Sequence, residues 1–251
     1  MKISIITVSY NCEATIRDTL ESVLNQTYLN IDYIVIDGNS KDKTIFIIKE
    51  YEKKFNGKMR WISEPDNGLY DAMNKGIKMA KSNIIGFLNS DDVFFDCYAL
   101  EKISKVFDNK NDIDAVYANL HYVSETDTSI IVRKWITGEK KMFKKGWHPA
   151  HPALYIKKDI YEKYGLFNLK YKLASDFEIM LRFIEKYQIK TIYINEVIIK
   201  MRLGGKTNRS IYNIICQNIE ILKAFHEHGI NVNYLIYPVK RFVSKILQYK
   251  K

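Results

Sequence analysis

Four short apolar runs alternating with amphipathic stretches occupy the first ninety or so residues, and no other feature restricts the fold as much. Ile3–Val8 reads as a buried strand. Glu13–Asn25 follows as a helix, with Ile16, Leu20, Val23 and Leu24 on one face. Tyr33–Ile36, Met59–Ile62 and Ile84–Leu88 continue as strands, separated by helices over Thr44–Phe55 and Leu69–Lys81. Strands alternating with helices of this length imply right-handed crossovers and a largely parallel sheet covered on both faces.

Beyond Asp92 the rhythm changes. Tyr98–Phe107 reads as helix, and Ala115–Val123 with Ile130–Lys134 as antiparallel strands. Phe177–Tyr187 is predicted helical and Thr191–Ile194 a short strand, with helices over Ile211–His228 and Pro238–Gln248. With no internal repeat and no linker, the chain is expected to form one α/β unit: a nucleotide-type half (1–95), an appended half (96–205) and a helical extension (206–251). At 251 residues and 47% hydrophobic it can bury a substantial core. Ser4 breaks the amino-terminal apolar run, no small-residue cleavage site follows it, and no run approaches the roughly 20 apolar residues of a bilayer span. Cys12, Cys97 and Cys216 lie far apart without a C-x-x-C pair, which points away from disulfides or a zinc cage and toward the cytoplasm.

Polar residues collect where the predicted strands end: Ser9-Tyr10-Asn11, Asp37, Glu64-Pro65-Asp66-Asn67-Gly68 and Asn89-Ser90-Asp91-Asp92. Turns favour such residues, which explains any one cluster alone. Four in succession are different, because a parallel sheet gathers its strand ends on one rim, where ligands bind. A dinucleotide site would need G-x-G-x-x-G after the first strand, and Ser9–Ala14 contains no glycine. Gly205-Lys206-Thr207 mimics the end of a P-loop, but the glycine required five places earlier is Lys200; a Gly-Gly-Lys-Thr loop can still cradle phosphate through backbone N–H groups. Adjacent Asp91 and Asp92 suit Mg²⁺ or Mn²⁺, which take one or two carboxylates plus substrate phosphates. The net charge of +10 also favours an anionic partner.

Together these segments resemble a family 2 glycosyltransferase of GT-A fold, of the kind found in bacterial polysaccharide biosynthesis. The match runs through Ile5-Ile6-Thr7-Val8-Ser9-Tyr10-Asn11, Ile36-Asp37-Gly38-Asn39-Ser40-Lys41-Asp42-Lys43-Thr44, Ser63–Gly76 and Gly86–Asp92. His151-Pro152-Ala153 and Ala174-Ser175-Asp176-Phe177-Glu178 match more loosely. The resemblance implies that Thr7, Ser9, Tyr10, Asn11 and Asp37 line the nucleotide pocket, Asp37 reading a uracil. It places Asp66, Asn67 and Gly68 beside the ribose and diphosphate, and Asp71 near the donor sugar. Asn89, Ser90, Asp91 and Asp92 would form a D-x-D-like site with Asn89 in place of the usual first Asp, and Asp92 touching the ion. Asp176 would be the catalytic base; from pattern alone it reads equally as a helix cap. His151 falls on the acceptor side, and Arg202, Lys206 and Thr207 form either a loop over the diphosphate or a solvated turn.

The implied reaction is one displacement at the anomeric carbon. A UDP-sugar is the donor and a saccharide or lipid-linked saccharide the acceptor, with inversion of configuration. A glycosidase would need two carboxylates free to flank the scissile bond. A nucleotidyltransferase would normally carry a Gly-rich basic loop after the first strand, and a nucleic-acid module would interleave its lysines with exposed aromatics; neither pattern is present. Lys240–Lys251 sets cations against Phe242, Val243, Ile246 and Leu247. Such a helix is expected either to lie on an anionic membrane surface or to pack on the domain.

Overall fold

The four leading apolar runs form a parallel block: β1 (Ile3–Ser9), β2 (Ile31–Asp37), β3 (Met59–Ser63) and β4 (Ile84–Phe87), in spatial order β3-β2-β1-β4. Every residue of β1, β2 and β4 is buried, as strands covered on both faces must be. Period-two alternation divides them between two cores. Ile6, Val8, Ile34 and Ile36 meet α3 (Leu69–Met79), whereas Ile3, Ile5, Tyr33 and Val35 meet α1 (Ile16–Leu24) and α2 (Thr44–Lys54). The computed structural model describes residues 1–110, 112–204 and 210–247. Expectations for Gly205, Lys206, Thr207 and Gln248–Lys251 lie outside those residues.

The second half extends the same sheet. β5 (Val93–Phe94) and α4 (Ala99–Asn109) precede β6 (Ala115–Val123), which pairs antiparallel with β7 (Ile131–Trp135) and β8 (Leu154–Lys157) and parallel with β9 (Thr191–Arg202). β8 joins β6 to β4, so the described strands make one sheet of nine. α5 (Lys158–Tyr164) follows β8. α6 (Ser175–Met180) runs into a π-helical turn over Leu181–Lys186. α7 (Ile211–Glu227) and α8 (Ile236–Leu247) close the described chain.

Three readings of this half change. The short strand expected at Thr191–Ile194 runs on to Arg202: Asn195-Glu196 interrupts its apolar pattern, but the ladder to β6 resumes past an irregularity at Asn119. β5, β8 and α5 are additions, because two to four buried residues leave too little periodicity to read. On α8 it is Tyr237 and the cation Arg241 that are buried, while Val239 and Val243 are exposed. Arg241 and Val243 thus exchange the expected cationic and apolar sides, while Lys240 stays exposed.

Candidate active site

The rim at the carboxyl ends of β1 to β3 is tied together by Asp37. Its carboxylate accepts hydrogen bonds from Ser9 Oγ (3.0 Å), Ser63 Oγ (2.7 Å), Ser40 N (2.9 Å) and Ser40 Oγ (2.5 Å), and the residue is 0% exposed. Thr7 is equally buried, bonded to Tyr33 Oη at 3.0 Å. Of the residues expected to line the pocket, Asp37 holds three serines in place and Thr7 is buried against Tyr33. What faces outward is Tyr10, 59% exposed. Asn11, with φ +49°, joins the first two loops by accepting from Lys41 N (2.8 Å) and donating its N–H to Ser40 Oγ (2.8 Å). A Cβ on Gly38 would sit 2.5 Å from Asp66 Oδ2 and 3.3 Å from the Tyr10 ring, so a glycine lets these two loops meet.

The turn before α3 is organised by its own acids. Asp66 Oδ1 accepts from Gly68 N (2.8 Å), and Asp71 Oδ2 accepts from Asn67 N (3.0 Å). Gly68 holds φ +109°, where a side chain would be strained. Lys75 fastens the loop from below through Pro65 O (2.8 Å) and Glu64 (2.8 Å). Asn67, Gly68, Tyr70 and Asp71 face Leu169, Tyr171 and Lys172 across an open cleft.

At the end of β4 the acidic corner is gripped from three sides. Thr15 Oγ1 donates to Ser90 O (2.9 Å) and Thr19 Oγ1 to Asp92 O (2.7 Å). Arg202, expected on a loop, is instead the buried last residue of β9. Its N–H donates to Asp92 Oδ1 (3.2 Å), while its guanidinium is spent on Asp91 O (2.8 Å) and on Asp18. Asp92 is 1% exposed, its other carboxylate oxygen accepts from Asn89 Nδ2 (3.1 Å), and no salt bridge reaches it among the described residues. Burial, and then the charge of Asp91, pushes its carboxyl well above the usual range. Asp92, the carboxylate expected to touch an ion directly, is thus the buried inner acid of the pair, and Asp91 beside it is half-buried.

Asp176 lies in the first turn of α6 rather than at its cap, the N-cap position being Ala174. Its Oδ1 accepts from Phe177 N (2.8 Å) and from Tyr70 Oη (3.0 Å). Burial, and then the nearby Asp176 charge, raises the Tyr70 phenol far above its ordinary value, so it remains a donor. His151 packs between Phe87 and Phe167; burial lowers its pKa against the pull of Asp176, which keeps the ring neutral. His148 bonds Pro149 O (2.9 Å), and no cluster of three metal-ligating side chains is found among the described residues. Arg182 pairs with Glu178 at i, i+4 (2.9 Å), as its spacing predicts. Tyr70 carried no signal beyond its place in the motif before α3, and its partner is 106 residues away.

The model of glycosyl transferase family 2 matches residues 4–165. A PGL/p-HBAD biosynthesis glycosyltransferase of Mycobacterium bovis is 24% identical over 82% of this chain and 78% of its own length. An uncharacterised glycosyltransferase of Haemophilus influenzae is 26% identical over 84% and 68%. Staphylococcus aureus TarS 1–349 in complex with UDP-GlcNAc superposes with a TM-score of 0.68 at 15% identity, over 96% of this chain and 70% of that one. The mannosyltransferase PcManGT of Pyrobaculum calidifontis, in complex with GDP-Man and Mn²⁺, gives 0.67 at 14%, over 97% and 69%. The chain spans 43% of a longer TarS chain.

Proposed function

The chain belongs to glycosyl transferase family 2 and is a glycosyltransferase of GT-A-type fold acting on a nucleotide-sugar, and from that premise we propose its donor, mechanism and acceptor. The donor is a UDP-linked hexose or N-acetylhexosamine. The acceptor is a saccharide or lipid-linked saccharide of cell-surface polysaccharide synthesis, and transfer inverts the anomeric centre in one displacement. The observation that carries this reading is the acidic corner: two adjacent acids, the inner one buried and without a salt bridge among the described residues, at the rim of a parallel sheet. The UDP-GlcNAc complex of TarS supports a UDP donor, and the Mn²⁺ in PcManGT supports a divalent ion.

Mg²⁺ or Mn²⁺ fits that corner, because the donors are all oxygen and Asn89 Oδ1 is buried without a hydrogen-bond partner. Asp91 would hold it, supported by Asp92 and Asn89. When bound, such an ion offsets charge developing on a diphosphate leaving group. The chain's own residues do the rest. Tyr10 and the Asp66–Gly68 turn border the nucleotide, and Asp71 the sugar. Asp176 takes the proton from the acceptor hydroxyl as that oxygen attacks, with Tyr70 fixing the carboxylate. Neutral His151 adds no competing charge on the acceptor side.

No described helix is long and apolar enough to cross a membrane. Yet α7 exposes Tyr212, Ile215 and Ile219, and α8 exposes Val239 and Val243 below Leu235, itself 85% exposed. With a net charge of +10, these faces support peripheral contact with an anionic bilayer. One assay tests both parts: a panel of UDP- and GDP-sugars, with acceptor, over anionic vesicles. Asp176→Asn is expected to lose about 10²–10⁴-fold in transfer. Wild type should sediment with the vesicles, and Val239→Glu/Val243→Glu should not. Undiminished transfer by Asp176→Asn removes the base, and equal sedimentation removes the membrane contact.

A further inference from the structure

The segment that delivers Asp176 cannot hold itself. α6 is six residues long, and its N-cap residue, Ala174, has no side chain with which to cap it. The backbone groups just ahead of Asp176 go instead to α7. Glu220 accepts three successive N–H bonds, from Lys172 (2.9 Å), Leu173 (2.8 Å) and Ala174 (2.9 Å). Gln217 Nε2 donates to Leu173 O at 3.1 Å, and buried Arg241 of α8 holds the other end of that amide, Nη2 to Oε1, at 3.0 Å. Farther along, Tyr171 Oη donates to Glu227 (2.6 Å), and His228 Nε2 meets Glu178 at 2.7 Å. Bonds from α7 and from the residue after it thus grip both sides of Asp176.

We propose that α7 is the positioning element for Asp176 and that Glu220 is its principal residue. This rests on the reading of Asp176 as the base. Three consecutive N–H groups aimed at one carboxylate fix the backbone of residues 172–174, so the loop enters α6 at one angle and presents Asp176 to Tyr70. The groups of residues 172–174 in these bonds, three N–H donors and the Leu173 carbonyl, are all main chain, so sequence variation there leaves the clamp intact. α7, like Asp176 itself, lies beyond residues 4–165, the segment matched by the family model. Base placement in this chain therefore depends on its carboxyl-terminal extension.

The test is steady-state kinetics of the full chain with a UDP-sugar and acceptor. Glu220→Gln is expected to lower kcat about 10- to 100-fold, since a displacement near 1 Å of a reacting group costs that much. Donor KM should stay within about twofold, because the nucleotide rim is untouched. The double variant Glu220→Gln/Asp176→Asn should be no slower than Asp176→Asn, because Glu220 acts through the base it positions. Should Glu220→Gln fail to fold, Gln217→Met removes only the Leu173 tether and is expected to lower kcat less, again without raising donor KM. An unchanged kcat in the variant assayed, a matching rise in donor KM, or multiplicative losses in the double variant overturn the proposal. Loss of transfer in Asp176→Asn beside full activity in Glu220→Gln overturns the brace alone. Full activity in Asp176→Asn overturns the base reading instead.

Discussion

Asp32 and Asp92 are both buried aspartates at strand ends of the same parallel block, yet the protein treats them oppositely. Asp32, 4% exposed where β2 begins, receives Arg60 Nη2 (2.7 Å), Ser4 Oγ (2.8 Å) and Lys81 N (3.0 Å). Burial alone would raise its pKa; these partners outweigh burial and hold it below the usual range. Asp92, just past the carboxyl end of β4, has only an amide and one N–H, with Asp91 beside it, and its pKa goes up. Thr15 and Thr19 hold the backbone of that corner, and the pull of Arg202 on Asp92 does not outweigh burial and Asp91. A buried charge answered from within belongs to the fold, whereas one left unanswered on the ligand rim is set for a cation from outside.

The largest expected difference is in catalysis. Asp91→Asn should lower transfer about 10²–10³-fold, while leaving the ligand-free melting temperature unchanged or slightly raised, since it removes repulsion on Asp92. A stability loss with intact transfer would erase the contrast. The smaller expected effect lies at the other end of the sheet. Asp32→Asn should cost about 2 kcal/mol at neutral pH, or about 5 °C in Tm, with transfer retained. Because the folded pKa of Asp32 is depressed, its contribution is complete above the unfolded value near ~3.9 and fades as pH falls through the lower folded value. Wild type and Asp32→Asn should therefore converge below about pH 4, and a constant gap down to strongly acidic pH would break the comparison.

The two halves of the chain were legible to different degrees for the same physical reason. In β1 to β4 burial follows the local pattern, so alternation and turn chemistry locate strands, helices and rim together. Beyond β5 the deciding contacts are remote. β9 is defined by β6, about eighty residues away; Arg202 by Asp18; Asp176 by Tyr70; and the loop before Asp176 by Glu220. None of these pairs has a sequence signature. Composition marked Asp37 and Thr7 as polar at a strand end, but it could not show that their bonds are already filled by Ser9, Ser40, Ser63 and Tyr33.

Calorimetric titration of UDP into the wild-type chain and Asp91→Asn, with Mn²⁺ present or chelated, tests the unanswered charge most directly. The account predicts that Mn²⁺ tightens UDP binding by at least about tenfold, ~1.4 kcal/mol, in wild type and has no effect in Asp91→Asn. Equal UDP affinity with and without the metal in both chains would contradict it.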